Sequence, residues 1–307
     1  MHRRNALQLL KIIGILLFLW ILARIDLGAL METAAQARVE LLLAAIALVF
    51  ATYFLKALRW HTMIRAMGSQ QSFAQSWRTY LLGLFFGLIT PGKLGEFGKV
   101  AYLRRDGISS KLGCALVILD RIADVITISV LGIAAVGLLF GWKWSCILGI
   151  AACTIAGILS LVARKSSFVQ KLFHHKKIQC LLPHVGSIVG LTLLNWTVYF
   201  LWAFSIARSI HIEMPLLPLA ACFVLTAICS MLPIAPSGLG TRDVALLTLL
   251  APFGVQPEEA VALAMLMFAS IVLSCSLGGY YWLTTKHHSN PKIQHENLLE
   301  KNAPFNS

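Results

Sequence analysis

The chain has 307 residues, of which 58% are hydrophobic and only 13% charged, and it carries a formal net charge of +13. The charged fraction is about half that of an ordinary soluble domain, and several apolar runs reach the roughly 20 residues that a bilayer span requires. These features exclude a soluble globular protein, and no polar stretch is long enough to fold as a domain of its own, so function must reside in or against the bilayer.

In chain order, Arg3 and Arg4 precede an apolar run over residues 6–23. That run lacks a small-residue cleavage site and is closed by Arg24 and Asp26, which predicts a retained first span and not a signal peptide. A second span is expected over 39–58. The next apolar stretch, 79–90, is broken at Pro91 and resumes only over 100–103 before Arg104 and Arg105. Its arms are too short to cross twice, which predicts a re-entrant hairpin that enters and leaves by one face. Further spans are expected over 112–140, 144–163 and 185–207. Residues 216–232, a second break, and 244–253 repeat the hairpin form, and 260–283 makes the last span. The expected fold is therefore an all-α polytopic membrane protein over residues 1–283, with six full spans and two re-entrant hairpins in an inverted repeat, followed by a disordered cytoplasmic tail at 284–307. The alternative is eight or more spans.

The two breaks share a signature. Pro91, Gly92, Lys93, Leu94 and Gly95 are matched by Pro236, Ser237, Gly238, Leu239 and Gly240, so proline, leucine and glycine recur at one spacing. Proline lacks a donor and biases the residue before it away from helix, while glycine permits a sharp turn. Irregular backbone survives at membrane depth only where protein or a watery cavity surrounds it, and broken helices in corresponding places of two halves point to a transport site.

The positive charges orient this arrangement. With a cytoplasmic N-terminus, only Arg24, Arg38, Lys143 and Arg208 fall on the outer face and Arg121 and Arg242 within the membrane, whereas the other lysines and arginines, from Arg3 to Lys301, fall inside. Both termini are then cytoplasmic, and the hairpins open to opposite faces. The basic excess is explained by this asymmetry and by anionic lipid heads, so nucleic acid is not invoked.

Ionisable residues inside spans are the candidates for chemistry, because burying them is costly unless they are paired or face a cavity. Asp120, Arg121 and Asp124 lie within five positions of one span; the two aspartates share a helix face, and Arg121 is spaced to pair with Asp124. Lys93, Glu96 and Lys99 follow the first break, and Arg242 and Asp243 the second. The helix start after each break offers free amides to a phosphate or carboxylate, with Lys93 and Arg242 adding full charge and Glu96 and Asp243 balancing it or competing with the ligand. Arg59, with Arg65 and Arg78, can hold a lipid phosphate at the inner interface, where Trp60 reads as an aromatic-belt residue. The seven cysteines lack a CxxC, and the histidine pairs at 174–175 and 287–288 have no spaced carboxylate, so neither a disulfide framework nor a metal or other cofactor is expected. Gly238, Gly240 and Arg242 lack the strand and third glycine of a nucleotide loop.

At these residues the chain resembles the flippase-like membrane family that includes the transmembrane region of lysylphosphatidylglycerol synthases. The resemblance rests on Ala57-Leu-Arg-Trp60, Pro91-Gly-Lys-Leu-Gly-Glu96, Asp120-Arg121 with Asp124, and Pro233 through Asp243, and it extends to about residue 283. It implies a membrane domain that moves an anionic phospholipid or a polyprenyl-phosphate-linked lipid between leaflets, in a plasma membrane of bacterial inner-membrane type. The soluble aminoacyl-transfer domain of the synthases is absent from this sequence. A flippase or transporter that is not an enzyme is the leading expectation. The alternatives are an intramembrane glycolipid transferase and a non-transporting partner of a lipid-modifying synthase.

Overall fold

The computed structural model describes residues 27–104, 108–165, 175–231, 238 and 240–288. The first expected span, Pro236 in the second break, and the tail beyond His288 lie outside these residues.

The described residues form an all-helical assembly with no strand. Helix α1 (Leu27–Ala35) was not expected from the sequence, where Arg24 and Asp26 appeared to close the first apolar run. Helix α2 (Val39–Ala66) has Glu40 in its first turn and Arg65 in its last, both complementary to the helix dipole. Helix α3 (Phe73–Ile89) starts at a capping box: the Gln75 N–H donates to Ser72 Oγ at 3.3 Å and the Ser72 N–H donates to Gln75 Oε1 at 2.9 Å. This box lengthens the first arm to 17 residues, beyond the dozen that the apolar run predicts.

Pro91 then ends the helix. The chain continues as a 3₁₀ segment over Pro91–Gly98 and a five-residue helix α4 (Lys99–Leu103). Helix α5 (Ser110–Phe140) is capped by Ser109 and stopped by Gly141 at φ 96°. Helix α6 (Trp142–Lys165), helix α7 (Val185–Ser209) and helix α8 (Leu216–Met231) follow. Past the second break come helix α9 (Thr241–Leu250) and helix α10 (Pro257–His288), which extends beyond the expected end at 283. Among the described residues, four helical stretches are long and apolar enough to cross a membrane: Val39–Ala66, Ser110–Phe140, Leu182–Ser209 and Pro257–Thr284. The chain is a multi-pass membrane protein.

The broken-helix signature is also a shared backbone conformation. Its middle position is left-handed in both copies, with φ 56° at Lys93 and φ 76° at Gly238. Glycine adopts this conformation freely, whereas lysine does so at a cost.

Packing crosses between the two halves. Helices α2 and α7 lie along one another through a core that includes Ala45, Val49, Tyr53, Trp202, Ala203 and Ile206. The arm before the first break, α3, packs on α10, where Gly278 lies against the Leu81 backbone; a Cβ there would strike the Leu81 carbonyl. The arm before the second break, α8, packs on α5, where a Cβ on Gly132 would come to 2.6 Å from Ile228 Cδ1. Small residues let helices approach closely where lipid supplies no hydrophobic drive. Each broken arm is thus seated, at a glycine, on the long helix that follows the other break.

Candidate functional site

Lys56, Arg59, Glu96, Lys99, Asp120, Arg121 and Asp124 form one network. Arg59, only 1% exposed, is saturated: its Nε donates to Asp120 Oδ1 at 2.9 Å, its Nη1 donates to Asp124 Oδ1 and Thr192 Oγ1 at 2.8 Å each, and its Nη2 donates to the Asp120 carbonyl at 3.2 Å. Lys56 adds a contact of 3.3 Å to Asp124 Oδ2. Charge-assisted bonds of this kind, with the remaining donors satisfied, are what allow an ion cluster to persist away from water.

Two expectations from the sequence are corrected here. Arg121 does not pair with Asp120 or Asp124; it binds Glu96 of the 3₁₀ segment. The aspartates, four apart, turn together toward α2, whereas Arg121 lies about 100° around α5 and meets a different neighbour. Arg59 and Trp60 are not an interfacial anchor either. Trp60 is 0% exposed, and its ring, with that of Tyr80, cages the Lys99 ammonium at 4.5 Å from each centroid. Lys99 also reaches Glu96 at 3.4 Å and Asp120 at 3.8 Å, so it is an interior cation and not an inner-face one. Room for these side chains comes from Gly83 and Gly87, one turn apart on α3: a Cβ would lie 2.7 Å from Lys99 Cγ at the first and 3.0 Å from Glu96 Cγ at the second.

Beside this network lies a cavity of about 170 Å³ between the two halves. Lys56, Lys93, Glu96, Arg121 and Asp124 line it from the first half. Asn195, Trp196 and Tyr199 of α7, Thr226 and Ser230 of α8, and Arg242 of α9 line it from the second. Four cations thus face two carboxylates, an excess of two positive charges in a confined space. Lys93 is exposed and makes no salt bridge with a described residue.

Arg242 is buried at 3% exposure, with its guanidinium carbon 5.5 Å from the Phe268 ring centroid. Its Nε and Nη2 have no hydrogen-bond partner among the described residues, and its ion-pair contact to Asp243 is long at 3.9 Å. Asp243 Oδ2 accepts from the Gly240 N–H at 2.5 Å, while Oδ1, the oxygen toward Arg242, has no hydrogen-bond partner among the described residues. Arg121 Nε, Trp196 Nε1, Asn195 Oδ1 and Thr226 Oγ1 are also buried without partners. Unmet polar groups in a low-dielectric site are costly, and the residues that carry these all line the cavity.

Of the residues singled out from the sequence, Lys93, Glu96, Arg121, Asp124 and Arg242 therefore meet at the cavity, while Arg59, Lys99, Asp120 and Asp243 lie outside its lining. Gly92 and Pro91 belong to the 3₁₀ segment, and Gly95 abuts the Phe86 backbone. Two amides near the breaks are taken within the chain: the Gly95 N–H donates to Thr90 Oγ1 at 2.7 Å and the Gly240 N–H donates to Asp243 Oδ2. The α7 wall was missed, although Thr192, Asn195, Trp196 and Tyr199 fall on one helical face of an apolar span, a polar and aromatic stripe that was legible.

The described residues are thus those of an all-helical membrane protein with broken helices beside a charged internal cavity. The family model described as the lysylphosphatidylglycerol synthase TM region matches residues 7–279, and the chain belongs to that family. Among curated relatives, the UPF0104 membrane protein MJ1595 of Methanocaldococcus jannaschii is 23% identical over 92% of this chain and 96% of its own length. The UPF0104 membrane protein PH1989 of Pyrococcus horikoshii is 32% identical over 40% of this chain and 38% of its own.

Proposed function

We propose that this chain is a lipid flippase or transporter that passes an anionic headgroup through the central cavity while the acyl or prenyl tails stay in lipid, without a chemical step. The observation that carries the reading is Arg242: a buried cation that lines a cavity with an excess of two positive charges, and whose Nε and Nη2 have no hydrogen-bond partner among the described residues. Phosphate is the natural complement of such a donor.

The exchange of arms between halves, α3 on α10 and α8 on α5, and the left-handed middle residue common to both breaks support an inverted repeat with two re-entrant hairpins. The positive-charge asymmetry supports a plasma-membrane protein with both termini cytoplasmic. On a cysteine-free background, single cysteines at Ser109 and Pro257 are expected to react with an impermeant thiol reagent from the inside only and the outside only, respectively. Reaction of both from one face overturns the inverted arrangement.

The functional test is reconstitution into vesicles with a labelled phosphatidic acid. The unmodified protein should equilibrate it between leaflets, whereas Arg242→Gln and Lys93→Gln should fold and fail to do so. Wild-type rates in both variants refute the anion site. No movement of any lipid by the unmodified protein refutes transport and favours a non-transporting partner of a lipid-modifying synthase or an intramembrane transferase.

A further inference from the structure

The two cavity arginines differ in what already occupies them. Arg242 has no strong partner among the described residues, but Arg121 on α5 is held by Glu96 on the 3₁₀ segment after the first break. Glu96 makes this contact through Oε2, the same oxygen that lies 3.4 Å from Lys99 Nζ. Glu96 therefore stands between two cations, one lining the cavity and one caged behind it by Trp60 and Tyr80. Arg121 lines the cavity and is 26% exposed at its side chain, so part of it faces the cavity while Glu96 holds Nη2.

Taking the cavity as an anion site, as above, we propose that Glu96 is a resident counter-anion that holds the ligand's place on Arg121. An entering phosphate or carboxylate takes the guanidinium, and Glu96 is retained by Lys99 alone. Both contacts of Glu96 already converge on one oxygen, so the exchange needs no new partner for the displaced carboxylate. Lys99 is suited to receive it because its only other carboxylate, Asp120, stands farther away at 3.8 Å and is bound to Arg59. The exchange also has a mechanical consequence. The Glu96–Arg121 pair ties the broken segment to α5, so ligand entry unfastens the first break from the long helix beside it, and emptying the cavity refastens it. Glu96 is on this account a specificity and gating residue: it admits only ligands whose charge competes with a carboxylate.

The experiment measures binding of short-chain phosphatidic acid to the full chain in detergent, followed by the fluorescence of the cavity tryptophans, with thermal stability recorded for each variant. Glu96→Gln should bind the probe about tenfold more tightly than the unmodified protein, within the usual range of coupling between competing interactions. Arg121→Gln should bind more weakly, and the double variant should match Arg121→Gln alone. Lys99→Met removes the resting place without touching the cavity, so it should weaken binding, and adding Glu96→Gln to it should restore affinity to the Glu96→Gln level. Equal or weaker binding by Glu96→Gln overturns the proposal, as does failure of Glu96→Gln to rescue Lys99→Met. If the probe binds in an Arg242-dependent way but is indifferent to Glu96, the place-holder idea fails and the anion site stands; if it binds neither the unmodified protein nor Glu96→Gln, the anion site itself fails.

Discussion

The two breaks share a sequence signature and a left-handed central residue, yet they are electrostatically opposite. After the first, the carboxylate reaches across to another helix: Glu96 binds Arg121 of α5, and Lys56, Arg59, Lys99, Asp120 and Asp124 complete a network of four elements from which Lys93 stands apart. After the second, the carboxylate turns back on its own backbone, Asp243 to the Gly240 N–H, and Arg242 has no strong partner among the described residues. One fold device therefore produces a compensated site and an uncompensated one facing it. The difference shows that an ionisable residue beside a helix break is defined by where its carboxylate partner points, which the local motif does not specify.

The sharpest way to break this comparison is to remove the central arginine of each half. Arg59→Met strands Asp120 and Asp124 in the interior and should cost roughly 3–5 kcal/mol of stability. Arg242→Met removes a buried cation that is poorly paired already, and it should leave stability unchanged or raise it. Thermal unfolding in detergent checks both, and equal losses would mean that the halves are compensated alike.

The glycine seats come next in size. Gly278→Ala drives a Cβ into the Leu81 backbone, which cannot yield, and should cost about 2 kcal/mol. At Gly132 the obstacle is the tip of Ile228, a mobile methyl, so the same substitution should cost less than about 1 kcal/mol. A reversed order in thermal stability would place the more rigid crossing at the second arm.

Lys93→Gly tests whether the shared left-handed position is tuned for function. Relief of the lysine backbone should stabilise the protein by about 1 kcal/mol, while affinity for an anionic lipid should fall. A gain in stability without loss of binding would leave the strained lysine with no role at the cavity. Smallest of all, Lys56→Met should cost less than about 1 kcal/mol, because Lys56 is partly exposed and Asp124 keeps its bonds to Arg59. A larger loss would make Lys56 an essential member of the network.

Much of the architecture was legible in the chain. Apolar runs near 20 residues marked the long helices, and Pro91 and Gly238 marked the breaks, since proline removes a donor and glycine tolerates a positive φ. The expected span ends were less secure. The span expected at 39–58 continues as helix to Ala66, which carries Lys56 and Arg59 into the packed interior and turns two apparent inner-face charges into network members. Polar residues do not mark the edge of a helix when partners on other helices satisfy them.

The sequence by itself determined that this is a multi-pass helical membrane protein, that its helices break at two related places, and that charged residues gather near those breaks. Those features depend on composition, local backbone chemistry and spacing along one helix, all of which act over a few residues. Only the tertiary structure decided that Arg59 serves Asp120 and Asp124, that Arg121 serves Glu96, and that Arg242 has no strong partner among the described residues. Each of these outcomes depends on which face of one helix meets which face of another. The partners are separated by 61 residues for Arg59 and Asp120 and by 25 for Arg121 and Glu96, distances over which local spacing rules carry no information.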